Sequence, residues 1–211
     1  MIINHNHKKY REIWNKLGAG RWNGAFYYSK EICANIIPNV KTDRHWVTIK
    51  VPDTAIDHAI VFCHNNLHPE YYDYLKDYKD LILVCGVPET AEKIKHIGRT
   101  IYLPLSVDVK LVSKYRRPIT KGTAFVGRRE KAKGPAKNAY KIGGKPREEL
   151  LPLMARYQNV YAVGRTAIEA KVLGCRVLPY DPRFKDPNIW QILDNLEAAE
   201  ILQHEIDKID R

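Results

Sequence analysis

The feature that most constrains the fold of this 211-residue chain is an alternation of short apolar runs with segments whose apolar residues recur at helical spacing. Ala59–Cys63 and Leu81–Cys85 read as buried strands, and Thr100–Leu103 as a third. Pro69–Tyr78 and Pro88–Ile97 read as the helices between them; the second has proline in its first turn and Gly98 at its end. Tyr71, Tyr72, Tyr74 and Tyr78 repeat at helical spacing beside Leu75, which marks them as packing groups. Upstream, Ser29–Ile37 looks helical and His45–Val51 extended, punctuated by Pro38 and Pro52.

A second series follows the polar connector Ser113–Lys121. Thr123–Val126 is a strand ending at Gly127, and Ala139–Ile142 a weaker one before Gly143 and Gly144. Pro146–Tyr157 is helical, Val160–Val163 a strand, Thr166–Leu173 a helix closed by Gly174, and Arg176–Tyr180 a strand. Asn188–Ile209 reads as two amphipathic helices. Strands alternating with helices predict an α/β protein with parallel sheets in two small Rossmann-like lobes. The expected division is residues 1–113 and 118–187, with 188–211 as a helical C-terminal tail.

No apolar run approaches the roughly 20 residues of a membrane-spanning helix, and the amino terminus has no secretory apolar stretch. A soluble, cytoplasmic protein without a transmembrane segment is expected. Cys33, Cys63, Cys85 and Cys175 are widely spaced and predict buried free thiols. His5, His7, His58, His64 and His68 match no zinc-binding spacing, so no metal is expected.

The formal charge of +11 is concentrated rather than spread. Residues 114–147 hold twelve Lys and Arg against the single acid Glu130, which accounts for the whole excess. Such a segment is either a solvated basic loop or the contact surface for an anion: a nucleotide's phosphates, a nucleic acid or an acidic membrane.

Two segments carry chemistry. In Phe125–Gly134, Gly127 ends a strand and Arg128 and Lys133 follow it, placing a planar fork and a point charge where phosphate binds in open α/β sheets. In Val163–Leu178, Gly164 lets the backbone turn so that the amides of Arg165 and Thr166 open a helix toward an anion. Glu169, one turn on, either accepts hydrogen bonds from vicinal hydroxyls or is a helix-surface acid. At the end of the strand Ala59–Cys63, His64 is either a proton acceptor for a hydroxyl or part of a locally hydrogen-bonded loop.

Gly127-Arg128 spaced from Lys133-Gly134, together with Glu169-Ala170, Gly174 and Val177-Leu178, resembles the nucleotide-sugar-binding half of GT-B glycosyltransferases, in particular the "group 1" family. Leu103–Asp108 is similar to that family's interdomain turn. The position eight before Glu169, an acid in the family, is Tyr161, and the chain is about half the usual length. The resemblance implies a GT-B-like fold and transfer of a sugar from a nucleotide-diphosphate donor, with no cofactor and no metal. It implies that Arg128 and Lys133 hold the donor diphosphate and stabilise its departure, Gly164, Arg165 and Thr166 bind its phosphates, and Glu169 binds the ribose. Leu17–Phe26 resembles the family's Gly-rich acceptor loop, so Gly18, Gly20, Arg21 and Trp22 would meet an acceptor, unless the segment is a plain turn. The alternatives are a nucleic-acid-binding or nucleic-acid-modifying protein, which includes glycosylation of a DNA base, and a non-catalytic nucleotide-sugar-binding module.

Overall fold

The computed structural model describes residues 2–3, 28, 31–48, 57–64, 72, 75–127 and 134–211. The chain forms two α/β units. The first contains the described residues up to Pro104 together with Asn195–Arg211; the second runs from Leu105 to Asp194. Among the described residues, no helix is long and apolar enough to cross a membrane.

In the first unit, β1 (Ile2–Ile3), β2 (His45–Val47), β3 (Ala59–Cys63), β4 (Leu81–Cys85) and β5 (Arg99–Tyr102) form one parallel sheet in chain order. β3 and β4 are buried at every residue, as strands covered on both faces must be, which is why they read as unbroken apolar runs. Helix α1 (Pro88–Ile94) joins β4 to β5 and buries Ala91 and Ile94. Of the helix expected over Pro69–Tyr78, the described residues form a tight 3₁₀ turn at Leu75–Asp77 and a bend at Tyr78, with Tyr72 and Leu75 in the core; residues 69–71 and 73–74 lie outside the described residues.

The acidic, Leu-containing tail is one helix, not two. The chain makes a 3₁₀ turn at Pro187–Ile189, and the helix spans Asn195–Ile209. Nor does it stand apart. It packs on the π-helical turn Ile32–Ile36, whose Ile32 and Ile36 are fully buried. Gln203 Nε2 donates to the Lys41 carbonyl at 3.1 Å, while the Lys41 amide donates back to Gln203 Oε1.

A charged clasp closes the amino edge of this sheet. Arg44, His58 and Asp80 each immediately precede a strand, and Arg99 opens β5. Arg44 is buried; it bonds the Asp80 carboxylate at 3.0 Å and Asp210, just beyond the C-terminal helix, at 2.6 Å. Arg99 meets Asp80 as well and donates to the Ile209 carbonyl at 3.0 Å. The His58 ring lies 2.6 Å from Asp80 and 3.0 Å from Asp43. These contacts hold His58 and Asp80 in left-handed backbone, both with φ of 54°.

The His58 bond, then Arg44, holds Asp80 down to about 2, whereas the bonds to Asp80 and then Asp43 raise His58 above its ordinary 6.5. A raised histidine stabilises below its unfolded value and loses that contribution as pH climbs through its folded one. A depressed carboxylate stabilises above its unfolded value of 3.8 and loses that as pH falls toward 2. The clasp is therefore strongest between about pH 4 and about pH 6.5. The effect is modest because His58 and Asp80 are 44% and 38% exposed. Urea midpoints are expected to rise from about pH 8 to about pH 6 and to fall below about pH 4, with Asp80→Asn flattening both slopes.

In the second unit, β6 (Lys121–Phe125), β7 (Tyr140–Lys141), β8 (Tyr157–Tyr161) and β9 (Arg176–Leu178) are parallel and ordered β7-β6-β8-β9. Side chains alternate across this sheet. Ala124, Val126, Val160, Ala162 and Val177 face the main core, which is covered by α2 (Val109–Ser113), α3 (Arg147–Met154) and α4 (Arg165–Val172). Phe125 and Tyr161 face a smaller cluster with Ala136, Ala139 and Tyr180. The short α2 is capped by Asp108, whose carboxylate accepts from the Leu111 amide at 2.7 Å, and it occupies residues expected to belong to the first lobe. Val107 bridges to Asp194, so the unit's first and last segments lie side by side.

Candidate functional site

The strand order of the second unit selects its own binding position. From β6 the chain moves outward to β7, then returns past β6 to β8 and β9. Connections on the two sides of β6 therefore leave in opposite directions. The crevice beyond the carboxyl ends of β6 and β8 is the topological switch point where open parallel sheets bind ligands. Among the described strands of the first unit the order never reverses.

Gly127 follows β6 and Gly164 follows β8, so both lie at this crevice. Their glycines serve different ends. A side chain on Gly143 would lie 2.6 Å from the Gly127 carbonyl oxygen, and one on Gly127 would lie 2.9 Å from the Phe125 ring. Close approach at Gly127 is thus made to protein neighbours. Gly164 has open space, with only Leu105 Cδ1 at 3.7 Å, but φ of 62° and ψ of −143°. That conformation is nearly confined to glycine, and it turns the chain so that α4 begins at once.

The Gly164 carbonyl accepts from the Ala167 and Ile168 amides at 2.9 and 3.3 Å. The amides of Arg165 and Thr166 occupy the first two helical positions, where N–H groups point out of the helix end and carry the positive pole of its dipole.

Glu169 is buried, which removes the reading of it as a helix-surface acid. Its carboxylate lies 2.9 Å from Arg147 Nη2 and 3.6 Å from Arg165 Nη2. All three side chains are 10% exposed or less. Arg147 and Arg165 are the first residues of α3 and α4, so two guanidinium groups sit at the positive ends of two helices. Glu169 thus faces two guanidinium groups at the carboxyl edge of the sheet, where the helix amino ends also present positive charge. An anion with several oxygens is the ligand that such a cluster favours.

Arg147 lies within the basic segment, where its sequence context alone gives it no distinct role. A signal existed: like Arg165, it opens a helix just after a glycine-containing turn at a strand's end. Tyr161, where the resembled family carries an acid, belongs to the aromatic cluster with Phe125 and Tyr180 on the opposite sheet face from α4. A cavity of about 430 Å³ beside Lys171, Arg176 and Asn188 lies toward the other end of α4 and contains none of the expected residues.

His64 lies in the first unit, directly after β3. Its ring stacks at 12° to Phe62 and meets the edge of Tyr28 at 5.7 Å. Burial pushes its pKa down to about 4, against a hydrogen bond to the Thr48 backbone, so the imidazole is neutral at pH 7 and a weak base. Among the described residues, Nε2 is buried without a hydrogen-bond partner. The local hydrogen-bonding alternative is met only in part, through Thr48.

Arg128 and Lys133, and the acceptor-loop residues Gly18, Gly20, Arg21 and Trp22, lie outside the described residues. Cys33, Cys63, Cys85 and Cys175 are free thiols, the last three of them buried. Comparison with family models, with curated proteins and with solved structures finds no match for this chain.

Proposed function

We propose that the protein is a glycosyltransferase that uses a nucleotide-diphosphate sugar, and that the switch-point crevice of its second unit holds the donor diphosphate. The observation that carries this reading is the Arg147–Glu169–Arg165 cluster beside two helix amino ends at the carboxyl edge of a parallel sheet. The resemblance of Gly127–Gly134 and Glu169–Leu178 to GT-B enzymes supplies the substrate class.

In this reading the bond from the anomeric carbon to a diphosphate oxygen breaks as an acceptor oxygen bonds to that carbon, and the acceptor's proton leaves to a base. Negative charge grows on the departing diphosphate. Fixed cations and helix amides in a crevice stabilise it without reorganising, which is where most of the rate gain arises. In the same reading Arg128 and Lys133 add to that charge, while Arg147 and Arg165 supply guanidinium groups held against Glu169. In contact with two guanidiniums, Glu169 positions the two arginines, and its capacity to meet a ribose is shared with that task. His64, neutral and weakly basic, is suited to accept a hydrogen bond from a hydroxyl rather than to retain its proton.

The test is release of nucleoside diphosphate from a panel of nucleotide sugars with a broad set of acceptors. Turnover above the spontaneous rate that falls at least about a hundredfold in Arg128→Ala supports the reading. Donor binding without hydrolysis or transfer across the whole panel would leave a non-catalytic binding module.

A further inference from the structure

We infer that the surface of the second unit's sheet around Tyr140 and Lys121 is a binding surface for single-stranded nucleic acid, with Tyr140 as the stacking platform for a base. Register sets Tyr140 beside Ala124, near the carboxyl end of β6, while its ring reaches Tyr157 and Lys121 at the amino ends of β8 and β6. The inference does not rest on the proposed sugar transfer.

Tyr140 opens the edge strand β7 and is 65% exposed, an uncommon position for so large a ring. It is also held in place. Its ring stacks on buried Tyr157, with centroids 6.3 Å apart and planes 16° from parallel. Lys121 Nζ lies 5.8 Å from the Tyr140 centroid and 5.2 Å from that of Tyr157. Register places Lys121 beside Tyr157 at the start of β6 and β8. Arg156 belongs to the same edge, since its carbonyl accepts from the amides of Thr120 and Lys121 at 2.9 and 3.0 Å. Arg117 lies just upstream and Lys141 directly follows Tyr140, while residues 114–127 and 134–147 contain no acid.

A rigid, exposed aromatic face flanked by cations matches the alternation of base and phosphate along a single strand. The charge complements the backbone, and the ring offers a sequence-tolerant contact that a bare polyanion cannot use. A membrane surface would call for a larger apolar margin; Ile119 is the exposed apolar residue in the connector leading to β6.

The test is fluorescence anisotropy of labelled oligo(dT) and oligo(rU) of about 12 nucleotides with the full chain, titrated from roughly 50 to 200 mM salt. Affinity is expected to fall steeply with salt. Tyr140→Ala should weaken binding roughly tenfold while Tyr140→Phe retains it. Lys121→Gln should lower the salt slope by about 0.7. Matched thermal melting curves establish that each variant is folded. Unchanged affinity in Tyr140→Ala, equal binding to base-free dextran sulfate, or preference for anionic phospholipid vesicles would each overturn the inference.

Discussion

Glu169→Gln is expected to destabilise the protein by about 3 kcal/mol or more, the scale on which losing one partner of a buried ion pair acts. The substitution keeps the shape of the side chain but removes the carboxylate charge that faces Arg147 and Arg165. Two guanidinium groups, each 10% exposed or less, would then face one another at the positive ends of α3 and α4. Urea unfolding should show the midpoint drop without a matching change in slope. Adding Arg147→Met to Glu169→Gln restores the balance of one missing charge on each side, and should recover part of the loss. An unchanged midpoint in Glu169→Gln would mean that solvent already compensates the arginines.

Gly143→Ala has the next largest expected effect, about 1–3 kcal/mol, because the new methyl must overlap backbone rather than a movable side chain. Its carbon would lie 2.6 Å from the Gly127 oxygen and 3.0 Å from the Gly127 nitrogen. The strand ends must part, which shifts Gly127 and the mouth of the crevice. Amide exchange should therefore quicken at the carboxyl end of β6 while β9 stays protected. Gly122→Ala, with nothing within 4 Å of the added carbon, serves as the control and should leave stability nearly unchanged. Equal stability of the two variants would show that the contact between these strand ends relaxes freely.

What was legible in the sequence follows from burial. Ala59–Cys63 and Leu81–Cys85 match their strands end to end because central strands covered on both faces admit only apolar residues. Gly164 and the helix after it were readable for a similar reason: the backbone there demands a residue without a side chain. Helix α2 was not readable, since five residues with two valines and one capping aspartate make a weak local pattern. The C-terminal tail misled because its apolar spacing runs through Trp190–Asp194, where burial of Trp190 and the bridge from Asp194 to Val107 take the chain out of a helix. The ion pair between Arg147 and Glu169 depends on β7 and β8 flanking β6, and no local periodicity reports strand order. The clasp around Asp80 escaped notice for the same reason, as its members come from four strand starts and the far end of the chain.

The most direct measurement is calorimetric titration of the full chain with nucleoside diphosphates, nucleotide sugars and inorganic pyrophosphate. One diphosphate is predicted to bind per chain, with affinity lost in Arg128→Ala and strongly reduced in a folded Arg165→Gln variant. Absence of heat with every diphosphate, or affinity that both variants leave untouched, would contradict an anion pocket at the strand-order reversal and the transfer chemistry built on it.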